Sequence, residues 1–282
     1  MSDTHKKTWF ITGATRGFGY QISCAALQAG ENVIATGRDL HKLKEVFNSS
    51  NNLLLLELDV CDDTQIQVAV QKAIEHFGCI DILVNNAGFG QLGLFEEIDQ
   101  TKVKGQFETN VFAMMSMTRA VLPYMRKQRS GLIYNISSIG GSLGFENASV
   151  YCAAKFAVEG FSESLALEVK QFGVDVTIVQ PGFFRTDFLD QSSVQFGTLQ
   201  IDDYAQYGKA LNDAYQSQNQ KQLGDPKKLG QLLVELARKP ELPVRLAVGS
   251  DAIEYLRVAN ESRQRDLQHW SDYSKQTDVT NS

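Results

Sequence analysis

From Thr8 to Val179, short apolar runs alternate with longer segments in which apolar positions recur every three or four residues. The runs at 8–12, 32–36, 53–58, 80–85, 132–136 and 174–179 are rich in Val, Ile, Leu and Thr and read as strands. Between them, 18–29, 40–47, 62–77, 101–126 and 149–172 read as helices. LLLLEL, from Leu53 to Leu58, is nearly continuously apolar, which predicts a strand buried on both faces of a parallel sheet covered by helices. The strand–helix alternation predicts an α/β fold with a doubly wound open sheet and right-handed crossovers. No internal repeat or low-complexity tract interrupts it.

Beyond Pro181 the pattern changes. Residues 187–224 are polar, rich in Gln and without a clean period. They are expected to form a loop-and-helix insertion over the C-terminal edge of the sheet, where ligands bind in such folds. A helix at 226–237, a strand at 244–248 and a helix from Asp251 to about Tyr273 are expected to follow. Asp251 is the expected N-cap of that last helix, and Ile253, Leu256, Leu267, Trp270 and Tyr273 are its apolar positions. No second core is apparent, so residues 1–282 are expected to form one domain, with 187–224 as a substrate lid within it.

Composition narrows the function. The formal charge is -6 and the pI about 5.3, with no large cluster of Lys and Arg, so no nucleic-acid partner is expected. Lys6-Lys7 beside His5, and Lys227-Lys228, read as solvated surface. No apolar run reaches the roughly 18 residues of a membrane span, and TWFIT follows within a few residues of Met1, so neither a membrane span nor a secretory leader is expected. Four cysteines (Cys24, Cys61, Cys79, Cys152) lack CxxC spacing, and four histidines (His5, His41, His76, His269) are scattered. Neither a disulfide framework nor a metal site is expected, and reduced thiols point to a cytoplasmic location.

The first strand runs into TGATRGFG, Thr12 to Gly19, at the start of a helix. Glycines at such a turn let a pyrophosphate approach free N–H groups at the helix N-terminus. The spacing of Gly13, Gly17 and Gly19 departs from the commoner GxGxxG, but its place after the first strand favours a nucleotide. The second strand ends IATGR, with Arg38 near where an NAD site carries an acid. Arg38, with Arg16 inside the loop, suits the 2′-phosphate of NADP(H) by paired charge-assisted hydrogen bonds. The alternative is two solvated arginines, with Asp39 partly neutralising Arg38.

YCAAKF places Tyr151 and Lys155 four positions apart, on one face of a helix. ILVNNAG (Ile82 to Gly88), IYNISS (Ile133 to Ser138) and VQPG (Val179 to Gly182) each stand where a strand ends. With TGATRGFG in front, and Ser138, Tyr151 and Lys155 in order, the chain resembles the single-domain branch of the short-chain dehydrogenase/reductase family. The resemblance runs nearly the whole length through Thr186, and is nearest to bacterial members related to hydroxysteroid and retinol dehydrogenases.

The resemblance implies a Rossmann-type, mostly parallel seven-stranded sheet and an NADP(H)-dependent oxidoreductase acting on a ketone or aldehyde and its alcohol, mainly as a carbonyl reductase. Tyr151 would be the general acid/base, with Lys155 lowering its pKa from about 10 and binding the nicotinamide ribose. Ser138 would polarise the carbonyl, and Asn110, in FETNVFAM, would support a proton-relay water. The cofactor would meet Gly13, Thr15, Arg16, Gly17, Phe18 and Gly19, then Arg38, Asp59 and Val60, then Asn86, Ala87 and Gly88. In PGFFRTDF, Pro181, Gly182, Phe184 and Thr186 would meet the nicotinamide end. Asp59 reads equally as a strand-end turn former, and Ser137-Ser138 as a plain strand end. Leu143, Phe145, Phe183, Phe184, Tyr204 and Tyr207 are candidate walls of an apolar or aromatic substrate pocket, or core packing. Relatives commonly assemble as homodimers or homotetramers through helices equivalent to 101–126 and 149–172. An NADP(H)-sensing regulator on the same fold is the alternative function. It typically loses the tyrosine or the lysine, and both are present here. A sugar-nucleotide epimerase would need another glycine spacing and a larger C-terminal domain.

Overall fold

The computed structural model describes residues 6–190, 193–217, 219 and 221–279. His5 lies outside them, as do residues 191, 192, 218 and 220 of the 187–224 segment. The chain forms β1 (Thr8–Ile11), α1 (Gly17–Gln28), β2 (Asn32–Gly37), α2 (Leu40–Val46), β3 (Leu53–Glu57), α3 (Asp63–Phe77) and β4 (Ile82–Asn85). A two-residue β5 (Gly90–Gln91), α4 (Gln100–Phe107), α5 (Ala113–Gln128), β6 (Gly131–Ile136), α6 (Ser149–Val169) and β7 (Val174–Pro181) come next. The remainder comprises β8 (Val194–Gln195), α7 (Ala205–Ser217), α8 (Pro226–Leu236), β9 (Arg245–Val248) and α9 (Ser250–Ser274).

Seven parallel strands are ordered β3-β2-β1-β4-β6-β7-β9, the doubly wound sheet that the alternation predicts. Successive strand residues serve opposite faces. Trp9, Ile11, Val33, Ala35, Ile82, Val84 and Tyr134 pack under α1 and α8, while Phe10, Ile34, Leu83 and Ile133 pack under α3 and α5. Core on both sides explains why these strands are apolar without alternation. LLLLEL is the exception to its own expectation. As the edge strand it has a neighbour on one side only, and Leu53 to Leu56 are half-buried.

Three other expectations change. The single helix over 101–126 is α4 and α5 joined by a π turn at Glu108–Phe112, and Asn110 sits in that turn. Such a bulge reorients the side chains it carries, which hydrophobic periodicity does not register. In α9 the N-cap position belongs to Gly249, and Asp251 instead accepts from Phe183 N at 2.7 Å and Ala252 N at 2.9 Å. Of the apolar positions expected in that helix only Leu256 is buried; the helix outruns the sheet edge, leaving Leu267 and Tyr273 more than two-thirds exposed. Within 187–224, β8 pairs with β5 as a small parallel sheet ahead of α7.

The sheet order reverses between β1 and β4, so the turns after these strands stand side by side at the C-terminal edge. Asn85 ties the strand ends together: its Nδ2 donates to Thr118 Oγ1 at 3.0 Å and Asn135 Oδ1 at 2.8 Å, and Asn135 donates to Ser162 at 2.7 Å. Among the described residues, no helix is long and apolar enough to cross a membrane.

Candidate active site

The glycine turn is built for close approach. Gly13 has φ +67°, and a Cβ there would stand 3.0 Å from Ala87 Cα. At Gly19 it would meet Gly13 O at 2.4 Å. Asn86 holds the turn by donating from Nδ2 to the carbonyls of Thr12 (2.9 Å) and Gly13 (3.0 Å). Arg16 occupies the N-cap position of α1 without a side-chain cap, and the first turn carries no acid. Backbone N–H groups and the positive end of the helix dipole thus face the turn, a fit to a dinucleotide pyrophosphate. Phe18 packs edge-on against Phe184 at 5.1 Å, and Thr186 Cβ lies 3.9 Å from where a Gly17 Cβ would be. The segment after β7 therefore closes on the glycine turn.

Arg16 and Arg38 are both exposed at this edge. Asp39 does not offset Arg38 alone: its Oδ1 accepts from His41 N (2.9 Å) and Lys42 N (3.2 Å), capping α2. Asp59 Oδ1 accepts from Cys61 N at 3.0 Å, a turn at the strand end, and Val60 packs beside α3. Gly88 abuts Asn110, whose Oδ1 accepts from Phe89 N (3.1 Å) and whose Nδ2 donates to Phe89 O (2.9 Å). The Asn110 side chain thus braces the turn that follows NNAG. Gly182 is required by Asp251, whose carboxylate would lie 2.4 Å from a Cβ at that position.

Ser138, Tyr151 and Lys155 come together. Ser138 Oγ accepts from Gly140 N at 3.0 Å and stands close enough to the Tyr151 phenol to lower its pKa. Lys155 Nζ stands 5.9 Å from the centroid of the Tyr151 ring and donates to Ile136 O at 2.7 Å. Burial pushes the Tyr151 phenol up to about 12, and Ser138 pulls it back only in part. Burial takes the Lys155 ammonium down to about 8. Desolvation is the largest influence on both groups.

Tyr151 borders a cluster of Leu92, Ala148, Cys152, Val194, Phe145, Phe188, Phe196 and Tyr215. Phe188 tilts onto the phenol ring at 5.6 Å. Of the expected walls only Phe145 belongs to this cluster. Leu143 packs with Ile139, Ala252 and Leu256 under α9, and Phe184 is buried in the core beneath α1. Phe183 touches Phe145 and Tyr255 at ring distances of 6.2 and 6.1 Å, outside the cluster. Tyr204 donates to Glu96 at 2.6 Å and Glu146 raises the pKa of the exposed Tyr207, so both hydroxyls answer acids rather than an apolar cavity. Sequence reading missed Phe188, Phe196 and Tyr215, which lie in or next to the segment that has no period. Phe188 alone had a signal, being the last residue of PGFFRTDF.

The short chain dehydrogenase family pattern matches residues 7–195. The oxidoreductase BOA17 of Botryotinia fuckeliana is 37% identical over 270 residues, 95% of this chain and 98% of that protein. The 3-ketodihydrosphingosine reductase of Bacteroides thetaiotaomicron is 38% identical over 240 residues, 85% of this chain and 86% of that protein. A short-chain dehydrogenase from Streptomyces avermitilis superposes with a TM-score of 0.88 at 37% identity, covering 96% of this chain and all (100%) of that one. ElxO, solved with NADP bound, superposes at 0.69 with 28% identity, over 85% of this chain and 97% of that one. A parallel sheet in this order, a glycine turn at its reversal point, a serine–tyrosine–lysine set beside it and relatives matched from end to end lead to one conclusion: the chain belongs to the short chain dehydrogenase family of oxidoreductases.

Proposed function

We propose that this protein is an NADP(H)-dependent reductase of apolar or aromatic ketones and aldehydes. One observation carries the reading: Tyr151 borders an apolar cluster, with Ser138 beside its phenol and Lys155 Nζ 5.9 Å from its ring. The pyrophosphate would be held by Gly13, Thr15, Gly17, Phe18 and Gly19, the 2′-phosphate by Arg38 and Arg16, and the adenine by Asp59 and Val60. Asn86, Ala87 and Gly88 would line the path to the nicotinamide end, held by Tyr151, Lys155, Thr186 and the backbone of Pro181, Gly182 and Phe184. When bound, NADPH supplies the hydride.

The protein's own residues manage the oxygen and the proton. Ser138 donates to the substrate oxygen and stabilises the charge that grows there. Tyr151 gives its proton to that oxygen, and Lys155, kept as the ammonium, stabilises the phenolate left behind. Asn110 holds the Gly88–Phe89 turn in register and supports proton resupply beside Lys155. The apolar walls favour a neutral, greasy carbonyl compound, in keeping with a relative named 3-ketodihydrosphingosine reductase.

The test is NADPH oxidation across a panel of long-chain, aromatic and charged carbonyl compounds. Turnover with apolar members, weak or absent with carboxylate-bearing ones, is the expected result. Tight NADPH binding with no turnover of any member would favour the regulatory alternative instead.

A further inference from the structure

The face of α6 that presents Tyr151 and Lys155 carries a third polar side chain. Glu159 lies one turn beyond Lys155 and is only 4% exposed. A carboxylate is costly in such a place unless it is bonded and paired. Here it is both. Gln180 of β7 donates from Nε2 to its Oε1 at 3.1 Å, and Arg245 of β9 donates from Nε to its Oε2 at 3.1 Å. Arg245 also forks onto Glu163, at 3.2 and 2.8 Å. Gln180 Nε2 reaches Ser142 Oγ as well, at 2.9 Å, just past Ser138. Gly141 leaves the room this needs: a Cβ there would stand 2.8 Å from Glu159 Cγ and 3.0 Å from Lys155 O. One buried carboxylate therefore joins the serine loop, the strand leading into Pro181, the last strand and the catalytic helix.

Lys155 and Glu159 are both buried one turn apart on α6, and the partly exposed Arg245 divides its charge between Glu159 and the exposed Glu163. We propose that Glu159 is a positioning residue whose negative charge, held against burial by Gln180 and Arg245, keeps Lys155 protonated behind Tyr151. The inference rests on the roles given to Tyr151 and Lys155 above. The other groups around Lys155 do not substitute. Ile136 of β6 offers a carbonyl, Ser138 a hydroxyl and the π turn the neutral Asn110, while Cys152 and Tyr215 of α7 bear on Tyr151. Burial lowers the lysine and Glu159 acts in the opposite sense, which agrees with the geometry.

The test is the pH profile of kcat/KM for carbonyl reduction in wild type, Glu159→Gln and Glu159→Asp, with melting temperature and NADPH affinity read alongside. Removing the charge lets Lys155 lose its proton earlier. The alkaline limb of Glu159→Gln is therefore expected about one pH unit below wild type, equivalent to about a tenfold loss on that limb, while most activity survives at pH 6. Glu159→Asp, which keeps the charge, is expected to restore the limb. Should Glu159→Gln fail to fold, Glu159→Met carries the same prediction, with Arg245 retaining Glu163. Equal loss at every pH with an unmoved limb would reduce Glu159 to a structural role and overturn the inference. Tyr151→Phe and Lys155→Ala, run in the same series, separate the two failures: if they stay active, the underlying reading is at fault.

Discussion

Tyr151 and Lys155 are tuned by the same desolvation in opposite directions, one phenol toward about 12 and one ammonium toward about 8. Carbonyl reduction needs both protons in place, and the lysine loses its own first. The kcat/KM for reduction is expected to be level below about pH 7 and to fall as pH rises past 8; a profile that climbs through pH 8 would contradict this assignment. The spacing of the pair was legible because face-sharing depends only on helix geometry. The strength of burial was not, since the carbonyl that takes Lys155 Nζ comes from Ile136, on another element. Arg38 gives a second test at this scale. With Asp39 committed to capping α2, Arg38→Ala is expected to raise the KM for NADPH about ten- to a hundredfold, from about 1.5–3 kcal/mol for a charge-assisted bond, and to leave NADH untouched. Equal effects on both cofactors would remove the phosphate role.

Elements meet at glycines the sequence pattern could not rank. A Cβ at Gly230 of α8 would stand 2.6 Å from Gln21 O of α1, where the backbones of the two helices come close. Gly230→Ala is expected to cost about 1–3 kcal/mol by overpacking and to lower Tm by several degrees; an unchanged melting curve would show that the helices separate freely. The strand–helix alternation was readable because each sheet face meets its own layer of helices, and an apolar run flanked by helical periods has few other folds. The π turn around Asn110, the two-residue strands β5 and β8, and the aromatic wall from Phe188, Phe196 and Tyr215 were not. Each is fixed by contacts between segments far apart in the chain, with too few residues to show a period of their own.

For the whole molecule, the seam between α6 and the α4–α5 unit points to assembly. Val111, Met114, Ala154 and Val158 fill it, yet Phe112 and Phe156, interleaved with them in sequence, are 52% and 44% exposed. We expect a second copy to cover these rings, giving a dimer or tetramer by light scattering; Phe112→Glu with Phe156→Glu should yield monomers, and a monomeric wild type would reject the interface. The proton that leaves Tyr151 is the central step of the proposed reduction. Its most direct test is kcat for Tyr151→Phe with NADPH and a good ketone substrate, beside the Kd for NADPH. A fall of about 10²–10⁴-fold in kcat with Kd within about threefold of wild type is the predicted result. Turnover at the wild-type rate would contradict it.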